Sequence, residues 1–164
     1  MDNITIRSAT LADVDTIAAN NIAMAAETER LRLDPATVRS GVRRVVTDEQ
    51  RGMYFLAQRG GQVIGQLLIT REWSDWRDSW FWWIQSVYVV PAARGAGVYR
   101  TLHGYVEQQA RRTPGVCGLR LYVDRKNAIA RQVYQQLGLH ETNYEFMELA
   151  WDGPASPDAL PRET

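Results

Sequence analysis

The sequence predicts an α+β (mixed α/β) domain whose elements follow the order βααβββαβαβ around a central mixed sheet. Three observations predict it. Apolar runs of period two alternate along the chain with segments of helical period. The runs at 53–57 and 63–70 are joined by Arg59-Gly60-Gly61-Gln62, a short glycine-rich link of the kind that closes a hairpin. The run ending at Val89-Val90-Pro91 passes through the glycine-bearing loop Arg94-Gly95-Ala96-Gly97 and opens at once into a helical segment, the pattern of a strand, a loop and a crossover helix.

Each element has its own local reason. Ile4 and Ile6 alternate with polar neighbours as in a short strand, and Thr10 with Asp13 makes a capping box for a first helix. That helix carries Leu11, Val14, Ala18, Ile22 and Ala25 on one face, and the polar link Glu27-Thr28-Glu29-Arg30 follows it. Asp34-Pro35 reads as N-cap and first helical position of a second helix, striped by Val38, Val42 and Val45. After the hairpin, a polar loop bearing tryptophans leads to a third β run, Trp80 to Val90. The helix beyond the glycine loop sets Val98, Leu102, Tyr105, Val106 and Ala110 inward and stops before Thr113-Pro114-Gly115. Leu119 to Val123 is a buried-type strand. Asn127 to Leu137 is a helix with Ala130, Val133, Tyr134 and Leu137 inward and Gly138 just past its end. Tyr144 to Trp151 reads as a last strand. Residues 1–151 thus form one domain, while 152–164 hold three of the six prolines and almost no large apolar residue, the composition of a flexible C-terminal tail.

Composition excludes several classes. With 164 residues the chain has the length of one domain with its own core, and 19 basic against 19 acidic residues give no electrostatic footprint for nucleic acid. Lys126 is the only lysine, so nearly every positive charge is a guanidinium, which suits bidentate phosphate contacts and equally follows from genomic base composition. Cys117 stands alone, which excludes an internal disulfide, fits a reducing compartment and reads as a buried, inert thiol. There is no basic-then-apolar leader pattern and no apolar run near the ~20 residues needed to cross a bilayer. A soluble, cytoplasmic protein without membrane contact is expected. His103 reads as a helix-surface residue and His140 as a loop residue; neither has neighbours at metal-ligand spacing, so no metal is expected.

The glycine loop is where chemistry is expected. The peptide N–H groups of a first helical turn have no partner within the helix, and the macrodipole adds partial positive charge, so a phosphate or pyrophosphate docks there favourably. Gly95 and Gly97 lack Cβ atoms and let the backbone close on such a ligand.

The segment Arg94-Gly95-Ala96-Gly97-Val98-Tyr99 resembles the Arg/Gln-x-x-Gly-x-Gly/Ala signature of the GCN5-related N-acetyltransferases, with Tyr99 where that family usually has a small residue. A second block, Asn127-Ala128-Ile129-Ala130-Arg131-Gln132-Val133-Tyr134-Gln135-Gln136-Leu137-Gly138-Leu139, is similar to the family's Asn-x-x-Ala-x-x-x-Tyr-x-x-x-Gly-Phe. Both motifs fall in order, and the resemblance spans roughly residues 3 to 150. It implies acetyl-CoA as cosubstrate and two parallel strands, ending near Val90 and Val123, that splay to admit the pantetheine arm. It implies further that main chain at Val87, Tyr88 and Val89 pairs with that arm, while the amides from Gly95 through Ala96, Gly97 and Val98 to Tyr99 hold the pyrophosphate beside Arg94. Asn127 corresponds to a residue that contacts the coenzyme, and it is equally placed to cap its helix. Tyr134 corresponds to the tyrosine that protonates the departing thiolate. Its other reading is a core tyrosine.

An acceptor amine must lose a proton before it attacks, so a carboxylate is expected near the acceptor. Glu27 is the first candidate, with Glu29 beside it where the family builds its acceptor pocket; Glu72 and Asp75 are expected in the loop between two strands. Trp73, Trp76, Trp80, Trp82 and Trp83 hold five of the six tryptophans, and Trp82 and Trp83, being adjacent on a strand, cannot enter one core. Indole faces suit a protonated amine or an aromatic acceptor, or else a cover for the sheet or a homodimer contact. The expected activity is acetyl transfer from acetyl-CoA to a small-molecule amine within a ternary complex. The alternatives are a non-catalytic acyl-CoA sensor or partner-binding module on the same fold, and an acetyltransferase acting on a protein amine.

Overall fold

The structure is a computed structural model that describes residues 3–151 and the pair 158–159. Strand β1 (Thr5–Ser8) leads through a 3-10 turn, Leu11–Asp13, into helix α1 (Val14–Met24); β2 (Leu31–Arg32) and helix α2 (Pro35–Thr47) follow. Strands β3 (Met53–Arg59), β4 (Gln62–Ser74) and β5 (Ser79–Val89) form a meander, and helix α3 (Val98–Arg112) crosses to β6 (Val116–Leu121). Helix α4 (Ala128–Gln136) and the two-residue β7 (Asp158–Ala159) complete the order. The main sheet runs β1-β3-β4-β5-β6, antiparallel except for the parallel β5–β6 pair. On one face Val14, Ile17 and Ala18 of α1 and Val42 of α2 pack on Tyr54 and Leu56. On the other, Val98, Leu102, Val106 and Ala110 of α3 pack on Phe55, Leu67, Ile69, Trp82 and Ile84.

The local signals act as their chemistry dictates. The Thr10 amide and hydroxyl both donate to Oδ2 of Asp13, at 2.7 and 2.9 Å, and Arg7 clasps the same carboxylate in a two-pronged pair at 2.8 and 2.7 Å. The Arg7 guanidinium holds the Asp13 carboxyl down at about 2. Asp34 caps α2 by accepting from the Thr37 amide at 2.7 Å. Gly60 and Gly61 turn the β3–β4 hairpin at φ +56° and +77°, a pair of left-handed residues suited to strand twist.

The structure corrects several expectations. The tryptophan-bearing loop is mostly strand: Glu72 pairs with Phe81, Trp73 with Trp80 and Ser74 with Ser79, so only residues 75–78 turn, with Asp78 at φ +47°. Cross-strand side-chain contacts extend the hairpin past Thr70, where polar residues signalled a loop. His103 is buried, not on the surface, because Tyr99 covers its side of α3 (ring centroids 5.8 Å). Leu11, assigned to the core face, is exposed, and Ile17 takes its place. Cys117 is exposed rather than buried: the β5–β6 register slips between Trp80–Val116 and Phe81–Gly118, which bulges Cys117 out of the ladder.

Residues 144–151 form no strand and are exposed. A strand exists only where a ladder pairs it. Here Phe146 packs on Tyr122 (4.8 Å) and Glu145 pairs with Arg125 (2.5 Å), contacts that draw the segment across the end of β6 instead of along its edge. The expected tail, 152–164, lies outside the described residues except Asp158–Ala159, which pair antiparallel with β2.

Gly65 sets how closely α3 approaches the sheet. A Cβ there would lie 2.8 Å from Cγ1 of Val98 and 3.3 Å from the Tyr88 carbonyl oxygen, so only glycine lets the first turn of α3 seat on β4. Gly65→Ala is expected to lower the unfolding free energy by about 1–3 kcal/mol in urea titrations. An unchanged midpoint would contradict this packing.

Candidate functional site

The site begins where β5 and β6 part. They share the parallel rungs Trp80–Val116, Phe81–Gly118, Trp82–Leu119, Trp83–Arg120 and Ile84–Leu121, and then β6 ends. Beyond Ile84, β5 pairs on its β4 side only, through Ser86, Val87, Tyr88 and Val89, after a register shift that leaves Gln85 as the extra residue. One edge of β5 from Gln85 onward therefore faces a cleft. Such a bulge bends a strand and raises its twist, which turns β5 away from β6.

The open edge runs into the glycine loop. Gly95 and Gly97 both have φ +75°, a conformation that costs other residues about 1–2 kcal/mol. Gly97 is the N-cap of the 15-residue α3, and its carbonyl accepts from the Thr101 amide at 3.0 Å, so the amides of Val98, Tyr99 and Arg100 precede the first helical bond. Ala96 lies between the glycines and is exposed. This is the arrangement of backbone donors expected of a phosphate cradle.

Glu27 and Arg94 meet across this cleft. Glu27 lies in a π-helical turn, Ala25–Glu29, that continues α1. Its Oε2 accepts from Nη2 of Arg94 at 2.6 Å and its Oε1 from the Tyr88 hydroxyl at 3.1 Å. Nε of Arg94 donates to the Val89 carbonyl at 3.0 Å. Arg94 holds the Glu27 carboxyl below its ordinary range, with Tyr88 contributing less. Burial, then Glu27, pushes the Tyr88 phenol up. Sequence reasoning assigned these residues separately; their joining across 67 positions was not legible.

On the far side, α4 brings Tyr134 against Tyr99 of α3, ring centroids 5.5 Å apart at 74°. Burial pushes both phenols up. Tyr99 thus points toward α4, which is how a large side chain is accommodated at that loop position. Asn127 caps α4 by accepting from the Ala130 amide at 3.0 Å. The Tyr99 hydroxyl and both ring nitrogens of His103 are buried without a hydrogen-bond partner.

The remaining candidates divide by face. Residues paired across neighbouring strands project to one side, so Thr70, Glu72, Phe81, Trp83 and Arg120 share the face that also carries Ser86 and Tyr88. There Glu72 accepts from Nε1 of Trp83 and pairs with Arg120 at 2.7 Å. Arg120 lies 3.6 Å over the Phe81 ring, and Gly118 leaves room for that ring. Trp83 stacks on Tyr122 (4.4 Å), which meets Phe146. Trp82 is buried against α3, so the two adjacent indoles do part. Trp73 and Trp80 form an edge-to-face pair, and Trp76 is 85% exposed near the hairpin tip. Asp75 caps that turn through the Trp76 amide at 3.0 Å. Glu29 is exposed and not brought to this face's carboxylate cluster by any hydrogen bond. A cleft of about 470 Å³ runs from Glu72 and Arg120 past Trp76 to Tyr144. Tyr122, Phe146 and Arg120 are the residues sequence reasoning missed: the register of β6 against β5 places Arg120, and ring contacts place Tyr122 and Phe146.

Comparisons with known proteins agree with this fold. The family model described as Acetyltransferase (GNAT) family matches residues 21–139. The chain is similar to the structure of a possible acetyltransferase from Clostridium difficile 630, at 37% identity and TM-score 0.85 over 92% of this chain and 99% of that one. Two more distant structures share the fold: an aminoglycoside N-acetyltransferase in complex with CoA (16% identity, TM-score 0.73, 92% and 96% covered) and an aminoglycoside acetyltransferase from an uncultured soil metagenomic sample in complex with sisomicin (13%, 0.70, 90% and 97%). No curated protein matches. Among the described residues no three His, Cys, Asp or Glu side chains are grouped to hold a metal, and no helix is long and apolar enough to cross a membrane.

Burial holds the His103 imidazole below its ordinary range, with the Glu107 carboxylate, 4.0 Å from Nδ1, opposing more weakly. The unfolded chain therefore takes up a proton at this position that the folded protein resists. Stability is expected to fall as pH drops below about 6.5, and His103→Leu is expected to flatten that slope in urea titrations between about pH 7 and 5. An equal slope in the variant would contradict a buried neutral imidazole.

Proposed function

The chain belongs to the acetyltransferase (GNAT) family, and on that premise we propose that it moves an acetyl group from acetyl-CoA to the amine of a small-molecule acceptor, directly, in a ternary complex. The observation that carries the proposal is the edge of β5 left open beyond Ile84, continuous with the glycine-capped start of α3. The two similar aminoglycoside acetyltransferases support an amine of small-molecule size.

In this reading the backbone of Val87 and Val89 receives the pantetheine arm as an added strand. The amides from Gly95 to Tyr99 take the diphosphate. The thioester supplies an activated acyl carbonyl. Arg94 lies at the junction of both needs, because it bridges Glu27 and the Val89 carbonyl across the same cleft. As Arg94 turns to the diphosphate, the Val89 carbonyl is released for pairing and Glu27 loses the cation that depresses it. Glu27 then regains the basicity needed to take a proton from the acceptor, directly or through water. Tyr134, half-buried and held protonated well above neutral pH, donates to the departing sulfur. Asn127 orders the first turn of α4 and so the position of Tyr134 one coil further along.

Thiol release from acetyl-CoA in the presence of an amine panel tests the proposal. Tyr134→Phe is expected to lower kcat by about 10²-fold with the coenzyme Kd unchanged. A variant as active as the parent would remove Tyr134 from the proton path, and no turnover of any amine by folded, coenzyme-binding protein would favour the sensor reading. Glu27→Gln is expected to lower turnover at neutral pH and to recover as pH rises toward the free amine's pKa of about 10, where no base is needed. Parental turnover of that variant at pH 7 would exclude Glu27 as the base.

A further inference from the structure

The fork between β5 and β6 carries a cluster that acetyl transfer from a coenzyme does not require. Trp83 belongs to the last rung but one before the strands part, and Tyr122 follows the last residue of β6. Their rings lie 4.4 Å apart at 34°, and Phe146 joins Tyr122 at 4.8 Å and 54°. The outer two rings are open: Tyr122 is 52% and Phe146 65% exposed. Trp83 stands on the face of the sheet that carries Ser86 and Tyr88, beside the start of the open edge of β5, and Tyr122 and Phe146 extend from it through their ring contacts.

Two arginine–carboxylate pairs dominate the charge at this face. Glu72 is held by Arg120, itself pinned over the Phe81 ring, and Glu27 is held by Arg94. A ligand with several cationic groups gains affinity from carboxylates that face it without partners; here Glu72 and Glu27 already have an arginine, and Asp75, at the hairpin tip, accepts from the Trp76 amide. Aromatic faces, in contrast, favour flat apolar groups and a single cation desolvated against a ring.

Resting on the acetyl-transfer reading above, we propose that the acceptor is a monoamine carried on a flat aromatic body, with the Trp83, Tyr122 and Phe146 rings as its binding platform, and that polycations are poor acceptors. The amine then faces the fork while its ring lies on the platform. Trp83 is fixed for that purpose by its Nε1 bond to Glu72, so the platform is ordered before the ligand arrives.

The test compares phenethylamine, n-butylamine and spermidine as acceptors with acetyl-CoA, in the parent and in Tyr122→Ser and Phe146→Ser, whose side chains are exposed enough to change without unfolding the domain. Phenethylamine is expected to exceed both others in kcat/KM by about 10-fold or more. Each variant is expected to narrow that gap through the KM for phenethylamine, leaving the KM for acetyl-CoA unchanged. Preference for spermidine, or variants that slow phenethylamine and n-butylamine alike, would overturn the platform while leaving acetyl transfer intact. If no amine is acetylated, the acetyl-transfer reading fails separately, and titration of the CoA-loaded protein with phenethylamine, followed by tryptophan fluorescence, decides the platform. Saturable quenching lost in Tyr122→Ser supports it, and no quenching overturns it.

Discussion

A parallel neighbour that stops pairing partway along a strand leaves a row of that strand's peptide groups unpaired on one side. In this protein the parting follows the Ile84–Leu121 rung, and the extra residue at Gln85 bends β5 away. Such an edge is satisfied only if something with matching donors and acceptors pairs with it, or if solvent reaches it. Every other feature of the site is placed relative to that edge. The glycine loop lies at one end of it, the aromatic face at the fork, and Tyr134 beyond the first turn of α3.

Close packing fixes these parts relative to one another. Gly65 lets α3 settle on β4, which sets the height of the loop above the sheet. Tyr99, from the first turn of α3, reaches Tyr134 on α4, so the helix that begins at the glycine loop also positions the proposed acid. A buried polar network ties α1 to the strands beneath it: Gln66 accepts from Asn20 at 2.9 Å and donates to Asn21 at 2.8 Å, and Asn21 donates to the Tyr54 hydroxyl at 3.0 Å. That network holds the helix whose last turn delivers Glu27. Burying such groups without these bonds would cost about 1–3 kcal/mol each, which makes the placement of α1 specific.

Features written in a few adjacent residues were legible in the sequence. The Asp34-Pro35 start, the Gly60-Gly61 turn, the loop from Arg94 to Tyr99 and the Asn127 cap each follow from a local backbone requirement, and each is where the chain alone put it. What escaped was set by distant partners. Polar neighbours give Glu72 the pattern of a loop residue, but its pairing with Phe81 and its bonds to Trp83 and Arg120 make it a strand position. His103 read as surface by helical periodicity, yet Tyr99 closes over it. The alternation at 144–151 is a real strand pattern without a ladder, drawn off by contacts to Tyr122 and Arg125. Sequence periodicity reports which face is apolar, and it does not report which neighbour will be there.

Under the proposed function, the open edge of β5 and the first turn of α3 receive one continuous ligand. Amide hydrogen exchange read residue by residue, with and without acetyl-CoA, tests this most directly. Added protection confined to Gln85–Val89 and to Gly95–Arg100 is the predicted result. Protection of the loop without the strand, or no change at either segment with coenzyme at millimolar levels, would contradict it.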